Sequence, residues 1–284
     1  MPFVDRITNG MSPHRVFALC KLVHYFQHEE MKELTKEKAG DFLQPNALMK
    51  EKTQFREVLQ FARSGNLVTE NEDQVLTTNL TKEDLSSIEH FKRAIIARAI
   101  ENKELMFWKF TSWYVMRDNR VLNEKTKDLE TTFNQELNTE QDATFIYNET
   151  NINGWRTWAV FLGYGFLHAG IVLPNLAVRL NNLLIEDHKL QRNQYLPMAD
   201  FMEWLRGAAP EVDGGTLGEM YRGKSSLSAQ HLSLGLSTGL RALHDQNVIT
   251  LNYVRDARDT WHLTRAPFHE ITGQVSQIMI RSEG

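Results

Sequence analysis

The chain has 284 residues, enough for two or three domains, and none of its apolar runs approaches the ~20 residues of a membrane-spanning helix. Cys20 is the single cysteine, which excludes an internal disulfide, and the first residues lack the layout of a secretion signal, so a cytoplasmic protein is expected. A net charge of −4 excludes a strong overall attraction for nucleic acid, and any DNA binding must come from a local basic surface.

Three segments, which begin at Phe55, Trp155 and Leu236, share one layout. Each has an apolar helix end, a polar turn, a short strand, a loop and a second short strand. Apolar residues recur in each helix every three or four positions, as in a helix with one buried face. The second strands of the three predicted hairpins end at Leu76, Leu173 and Leu263.

Two further helical patterns precede each of these segments. They cover 13–27 and 36–43, then 104–116 and 123–137, and finally 198–205 and 217–221. A separate long helix is predicted from the capping-box residues Thr81 and Asp84 to Ile100, because apolar residues continue along one of its faces. Three helices followed by a hairpin are typical of the winged helix, a helix-turn-helix with a β-wing.

The sequence therefore predicts a mainly α fold with small β-hairpin wings, built from tandem winged-helix units joined by a long helix. The predicted domains are an N-terminal winged-helix unit (1–80), the bridging helix with an aromatic-rich helical middle unit that resembles a degenerate winged helix (81–190), and a C-terminal winged-helix unit (191–284). We expect the aromatic residues to form core rather than a platform for bases. They are Phe107, Trp108, Phe110, Trp113, Tyr114, Trp155 and Trp158.

The stretch Gly218–Ser225, GEMYRGKS, fits the phosphate-loop pattern G-x-x-x-x-G-K-[ST]. Such a loop needs a buried strand before it and a helix after it. Here a proline- and glycine-bearing stretch precedes the motif, and too few residues follow for a parallel α/β domain. The motif is expected to form a helix–helix turn, with Gly223 in the turn, and not a nucleotide site.

Cys20, His24 and His28 recur every four residues, a spacing that resembles a set of metal ligands. Three ligands in line along a helix are too far apart to bind one ion, so a buried thiol and two helix-surface histidines are expected instead. No catalytic triad, zinc motif or other catalytic constellation can be assembled. The sequence therefore predicts no enzyme activity, no metal and no cofactor.

Candidate DNA contacts lie on the third helix of the first and last units, since this helix enters the major groove in winged-helix proteins. In the first unit the main candidates are Lys50, Lys52 and Arg56, the same helix also carries Gln54 and Arg63, and Lys36 and Lys38 lie just ahead of it. Its wing, 69–74, is acidic and should repel phosphate. In the last unit, the better candidate by sequence, they are Lys224, Ser225, Ser228, Gln230, His231 and Arg241, with Arg255 and Arg258 on the wing. The alternative is a face that docks proteins or simply faces water.

The whole layout resembles a known family. An N-terminal winged helix, the W-x-x-W-A-x-F-L-G segment at 155–163, a proline-started helix at Pro174 and the LSLGLSTGLRAL helix at 232–243 are similar to DpdG, a component of bacterial deazaguanine DNA-modification and phage-restriction islands. The resemblance implies a non-enzymatic, accessory or DNA-contacting role among protein partners. The alternative is a protein-interaction scaffold or transcriptional regulator with no direct role in restriction.

Overall fold

The computed structural model describes residues 5, 7–8, 10–45, 47, 51–102, 104–138, 146–223, 227–271 and 273–282. The protein is mainly helical, with 51% of its residues in helices, and its strands form small antiparallel sheets. This confirms the predicted fold class at the level of a mainly α protein with small β-hairpins.

The helices alternate with short strands along the chain. The helices are α1 (Pro13–His28), α2 (Lys36–Leu43), α3 (Thr53–Ser64), α4 (Ile88–Ile100), α5 (Met106–Met116), α6 (Thr126–Asn138), α7 (Glu149–Leu162), α8 (Ala177–Glu186), α9 (Met198–Ala208), α10 (Thr216–Arg222) and α11 (Leu234–Asp245), with a 3₁₀ helix at Asp118–Leu122. The strands are β1 (Thr69–Glu70), β2 (Leu76–Thr77), β3 (Gly165–His168), β4 (Ile171–Pro174), β5 (Tyr195–Pro197), β6 (Ile249–Asn252), β7 (Trp261–His262), β8 (Gln274–Val275) and β9 (Gln277–Ile280).

Residue contacts group the chain into two compact units. The first comprises Met1–Phe107 and Ala143–Phe161, and the second comprises Trp108–Asp142 and Leu162–Gly284. The division into domains at 1–80, 81–190 and 191–284 stays a prediction.

The first unit has its core between α1 and α3, because both helices present apolar residues at helical spacing. Val16, Leu19 and Val23 of α1 are fully buried, and Val58 and Leu59 of α3 are almost so. The predicted hairpin forms as β1 and β2, which pair antiparallel. The segment before α2 joins this hairpin through an antiparallel bridge between Thr35 and Val75. Three extended segments therefore lie beside the three helices.

The helix predicted from Thr81 begins later. The capping box does form, since the Thr81 amide donates to Asp84 (2.9 Å) and the Asp84 amide donates to the Thr81 hydroxyl (3.1 Å). These bonds close turns, and α4 starts only at Ile88, where Ser87 accepts a bond from the His90 amide. The capping-box pattern identified a turn and not the helix start.

The predicted aromatic core is confirmed, because all seven aromatic side chains are at most 2% exposed. In the second unit, Phe110 and Trp113 of α5 pack their rings against Phe133 of α6 at centroid distances of 4.9 and 5.2 Å. The Trp113 indole donates to Glu136 at 2.9 Å, so its polar edge is satisfied.

The middle hairpin forms as predicted, with β3 paired antiparallel to β4. The prediction of the third hairpin is wrong, because its first strand, β6, has a different partner. β6 pairs with β9 rather than with the strand that ends near Leu263, and β9 also pairs with β5, giving the strand order β5-β9-β6. β7 pairs with β8 inside the long connection between β6 and β9. The alternating burial of β9, with Ile278 and Ile280 fully buried, explains why this strand occupies the centre.

Among the described helices, none is both long and apolar enough to cross a bilayer.

Candidate nucleic-acid interface

Helix α3 of the first unit combines a buried face with an exposed polar face. Its apolar residues point into the core, and Thr53, Arg56, Gln60 and Arg63 are exposed on the opposite side. Their spacing of three, four and three residues places them in one stripe along the helix. The exposed face of α3 therefore carries arginine and amide groups, which are side-chain types that can bind phosphate and base edges.

A shallow groove of about 450 Å³ runs along this exposed face. It is lined by Lys36, Arg56, Leu59, Gln60, Arg63 and Ser64. Its charged lining residues are all cations, one from the start of α2 and two from α3. The groove is therefore a local basic surface on a chain of negative net charge.

Strand β1 adds one carboxylate to this basic surface. Glu70 contacts Lys36 through one oxygen (Nζ–Oε1, 3.3 Å) and Arg63 through the other (Nη1–Oε2, 2.7 Å). The Glu70 side chain is only 10% exposed, whereas those of Lys36 and Arg63 are 38% and 50% exposed. The predicted acidic wing is thus partly neutralised by the cations that it faces.

The other residues predicted in the first unit differ in their surroundings. Lys52 precedes α3 and pairs with Asp41 of α2, so its charge is compensated. Lys50 lies outside the described residues. Arg56 lies at the centre of the exposed stripe and lines the groove together with Lys36 and Arg63. The sequence analysis missed Gln60, for which the regular step from Arg56 through Gln60 to Arg63 was the signal. It predicted the repulsion by the acidic segment 69–74 but not the contacts of Glu70 with Lys36 and Arg63.

In the predicted C-terminal unit, 191–284, helix α11 has no exposed face that could contact DNA. Except for Asp245, its residues are buried or half-buried, because α8 and β4 pack against it. The closest approach is at Gly239, where an added Cβ would lie 2.8 Å from the amide nitrogen of Ala177. The glycines and small polar residues of LSLGLSTGLRAL therefore serve close packing, and the expectation that this helix offers its polar groups to a duplex is not supported.

Arg241 illustrates this burial. It is 6% exposed and donates to the carbonyl of Ile271 at 2.9 Å, and burial lowers its pKa. Ser228, Gln230 and His231 precede α11 rather than lying on it. Ser228 contacts the His231 ring, which stacks on His262 at 4.7 Å between centroids.

The connection between β6 and β9 presents the remaining predicted cations. Arg255 and Arg258 are both exposed there, and Asp256 and Asp259, also exposed, follow them directly. The charges alternate, so this segment provides no uniformly basic surface. Whether either arginine binds DNA stays a prediction.

The described part of GEMYRGKS is helical. Gly218 to Arg222 belong to α10, and the amides of Gly218 and Glu219 already donate to Pro210 (3.2 Å) and Gly215 (2.8 Å). In a phosphate loop such amides must face the ligand. Each pair of named strands is antiparallel, so the part of the chain that the structure describes has no parallel sheet to carry the motif. Lys224 and Ser225 lie outside the described residues.

The histidines on α1 lie near the helix surface, whereas its cysteine is in the core. Burial raises the pKa of the Cys20 thiol to about 12, and burial followed by the nearby His28 lowers the pKa of His24. The His24 and His28 rings lie 4.5 Å apart between centroids. Within the described ranges, no three histidine, cysteine, aspartate or glutamate residues group as metal ligands would.

A raised thiol pKa predicts an unreactive cysteine. At pH 8 the thiolate fraction of Cys20 should be roughly a thousandfold below that of an ordinary cysteine, and the core also blocks access. We expect a chromogenic disulfide reagent to release no colour from the native protein and one equivalent after unfolding in guanidinium. Equal rates in both states would place Cys20 outside the core.

The comparisons with known proteins identify one family. The family model described as DpdG-like matches residues 7–257. The chain belongs to the DpdG-like family. This confirms the resemblance seen in the sequence, and it suggests a component of a multi-component deazaguanine DNA-modification and defence system. Neither the curated proteins nor the solved structures provide a significant match.

Proposed function

We propose that the chain is a non-enzymatic, DNA-binding component of a deazaguanine modification and phage-restriction system, and that α3 of the first unit contacts the duplex. The observation that carries this proposal is the exposed stripe of Arg56, Gln60 and Arg63 above a buried helix face. Arginine and glutamine are side chains that bind base edges in the major groove, and the cations also bind phosphate.

The order and pairing of elements support a winged helix in the first unit. α1 is followed by the bridging segment at Thr35, then by α2 and α3, and finally by the β1–β2 hairpin. In such a unit α2 and α3 form the helix-turn-helix, α3 is the recognition helix and the hairpin is the wing.

A related arrangement is proposed for the end of the second unit, with a different role. Here β5 precedes all three helices α9 to α11, whereas the bridging segment of the first unit lies between α1 and α2. The strands β6 and β9 follow α11, and the strand order β5-β9-β6 places the last strand in the centre. Its third helix is buried, so a major-groove contact through this helix is not proposed. We assign this part to architecture and to binding of the protein partners that a multi-component system implies.

No chemistry is assigned to the chain. In its described residues, the motif that fits a phosphate loop contributes a helix and one buried ion pair, between Arg222 and Asp213. The proposed role is to position DNA or partner enzymes. We keep the cytoplasmic setting as a prediction.

The test is duplex binding by Arg56→Ala, measured by fluorescence anisotropy over a range of salt concentrations. We expect the affinity to fall about tenfold and the salt slope to weaken by about 1, because one cationic contact is lost. Arg120→Ala is the matched control, since Arg120 is also exposed and lies on the 3₁₀ helix in the second unit.

If wild type binds and Arg56→Ala binds equally well, α3 is not the contact. A wild-type protein that binds no duplex even at low salt would favour the alternative, a protein-interaction scaffold.

A further inference from the structure

We infer that Glu70 competes with a DNA phosphate for Lys36 and Arg63, so that the wing carboxylate lowers the affinity of the α3 surface for the duplex. This inference rests on the proposed function, because it concerns the same basic groove. Glu70 would then tune the affinity of the site, because its charge is opposite in sign to that of every charged residue that lines the groove.

The geometry resembles that of a bound oxyanion. Each carboxylate oxygen of Glu70 contacts a different cation, Lys36 at 3.3 Å and Arg63 at 2.7 Å. A phosphate group offers the same kind of oxygen acceptors to lysine and arginine. The two cations come from α2 and α3, and Glu70 comes from the strand that follows α3. The carboxylate therefore links the three elements that a phosphate would meet.

The exposures indicate which partner a phosphate would meet first. Glu70 is largely covered, whereas the side chains of Lys36 and Arg63 keep 38% and 50% of their surface in solvent. A phosphate can reach the cations from the solvent side, where it then faces the negative charge of Glu70 behind them. Both the shared cations and this repulsion reduce the gain from phosphate binding.

A purely structural role for Glu70 makes a different prediction. If Glu70 only fastened the wing to α2 and α3, its replacement by glutamine would weaken the unit or leave DNA binding unchanged. If it competes with phosphate, the same replacement must raise affinity and increase the salt dependence, because two cations become available. The two roles are thus separated by the sign of the effect.

The experiment is duplex binding by Glu70→Gln at several salt concentrations, with Glu72→Gln as the control. Glu72 lies in the same wing, is exposed, and its replacement removes the same charge. We expect Glu70→Gln to bind about tenfold more tightly at low salt, with a salt slope steeper by about 1 to 2. Glu72→Gln should change affinity less than about threefold, because its charge is screened by solvent.

Circular dichroism of Glu70→Gln checks that the variant is folded, and a double mutant tests whether the gain in affinity passes through the released cations. In a Lys36→Ala background the gain from Glu70→Gln should shrink, because one of the two released cations is absent. Equal affinities for Glu70→Gln and Glu72→Gln would overturn the inference. If Arg56→Ala weakens binding while Glu70→Gln changes nothing, the proposed function stands and this inference fails. If wild type and all variants fail to bind, the proposed function itself fails.

Discussion

Replacement of Gly218 by alanine should lower the melting temperature of the protein by about 10 °C. An added Cβ at this position would lie 2.0 Å from the carbonyl oxygen of Val212, a backbone atom that cannot move aside without shifting the loop before α10. Overpacking against backbone costs about 3 kcal/mol. In a unit of roughly 150 residues, this cost lowers the melting temperature by about 10 °C. Differential scanning calorimetry measures it directly.

Gly223→Ala is the matched control from the same motif. Gly223 has helical backbone angles (φ −60°, ψ −20°), and nothing lies within 4 Å of its added Cβ. We expect a change within about 1 kcal/mol, with a tendency towards higher stability because alanine restricts the unfolded chain. A phosphate loop needs both glycines. Equal and large decreases in the melting temperature of both variants would therefore contradict the helical assignment.

The second large effect is expected from Asp213→Ala. Asp213 is fully buried and accepts bonds from Arg222 (3.1 Å) and from the amide and hydroxyl of Ser233 (2.7 and 2.6 Å). Arg222 is itself buried and keeps Glu219 as its other acidic partner at 2.7 Å. Removal of one member of a buried pair costs about 3–5 kcal/mol, and Glu219, whose side chain is 46% exposed, compensates only part of the remaining Arg222 charge. Chemical denaturation should therefore show a much lower unfolding midpoint.

Glu203→Ala provides the control for this prediction. It breaks an ion pair with Arg206 whose side chains are more than half exposed, so a loss below about 1 kcal/mol is expected. If Asp213→Ala proves insoluble, Asp213→Asn retains the shape of the side chain and removes only its charge. An unfolding midpoint equal to that of the wild type for Asp213→Asn would show that the buried charge is not needed.

Most helices were predictable from the sequence, because apolar spacing and turn residues are features of neighbouring positions in the chain. The apolar spacing in α1 and α3 identified both helices within a few residues, and the glycine or asparagine turn after α3 identified the start of the hairpin. The partner of β6 was not predictable in this way, because β9 lies more than twenty residues further along the chain and its pairing depends on burial of Ile278 and Ile280. Short strands carry too little local pattern to specify a distant partner.

The site was partly predictable for a related reason. Arg56 follows from its position on a recognisable helix. The polar residues of α11 misled the prediction because a buried, hydrogen-bonded serine looks the same in sequence as an exposed one. Ser237 is fully buried, and its hydroxyl accepts a bond from the Thr264 amide at 2.9 Å. Glu70 was identified as repulsive, but its contacts with Lys36 and Arg63 became apparent only in three dimensions.

The burial of α11 also determines how the protein can be divided for experiments. This helix packs on α8 and β4, which precede residue 191 in the chain. A fragment that starts at residue 191 would lack these partners, so the face of α11 that carries Gly235, Thr238 and Gly239 would become exposed to solvent. Isotope labelling, crystallisation trials or partner screens that use only the last third of the chain would then report self-association instead of the behaviour of the intact protein.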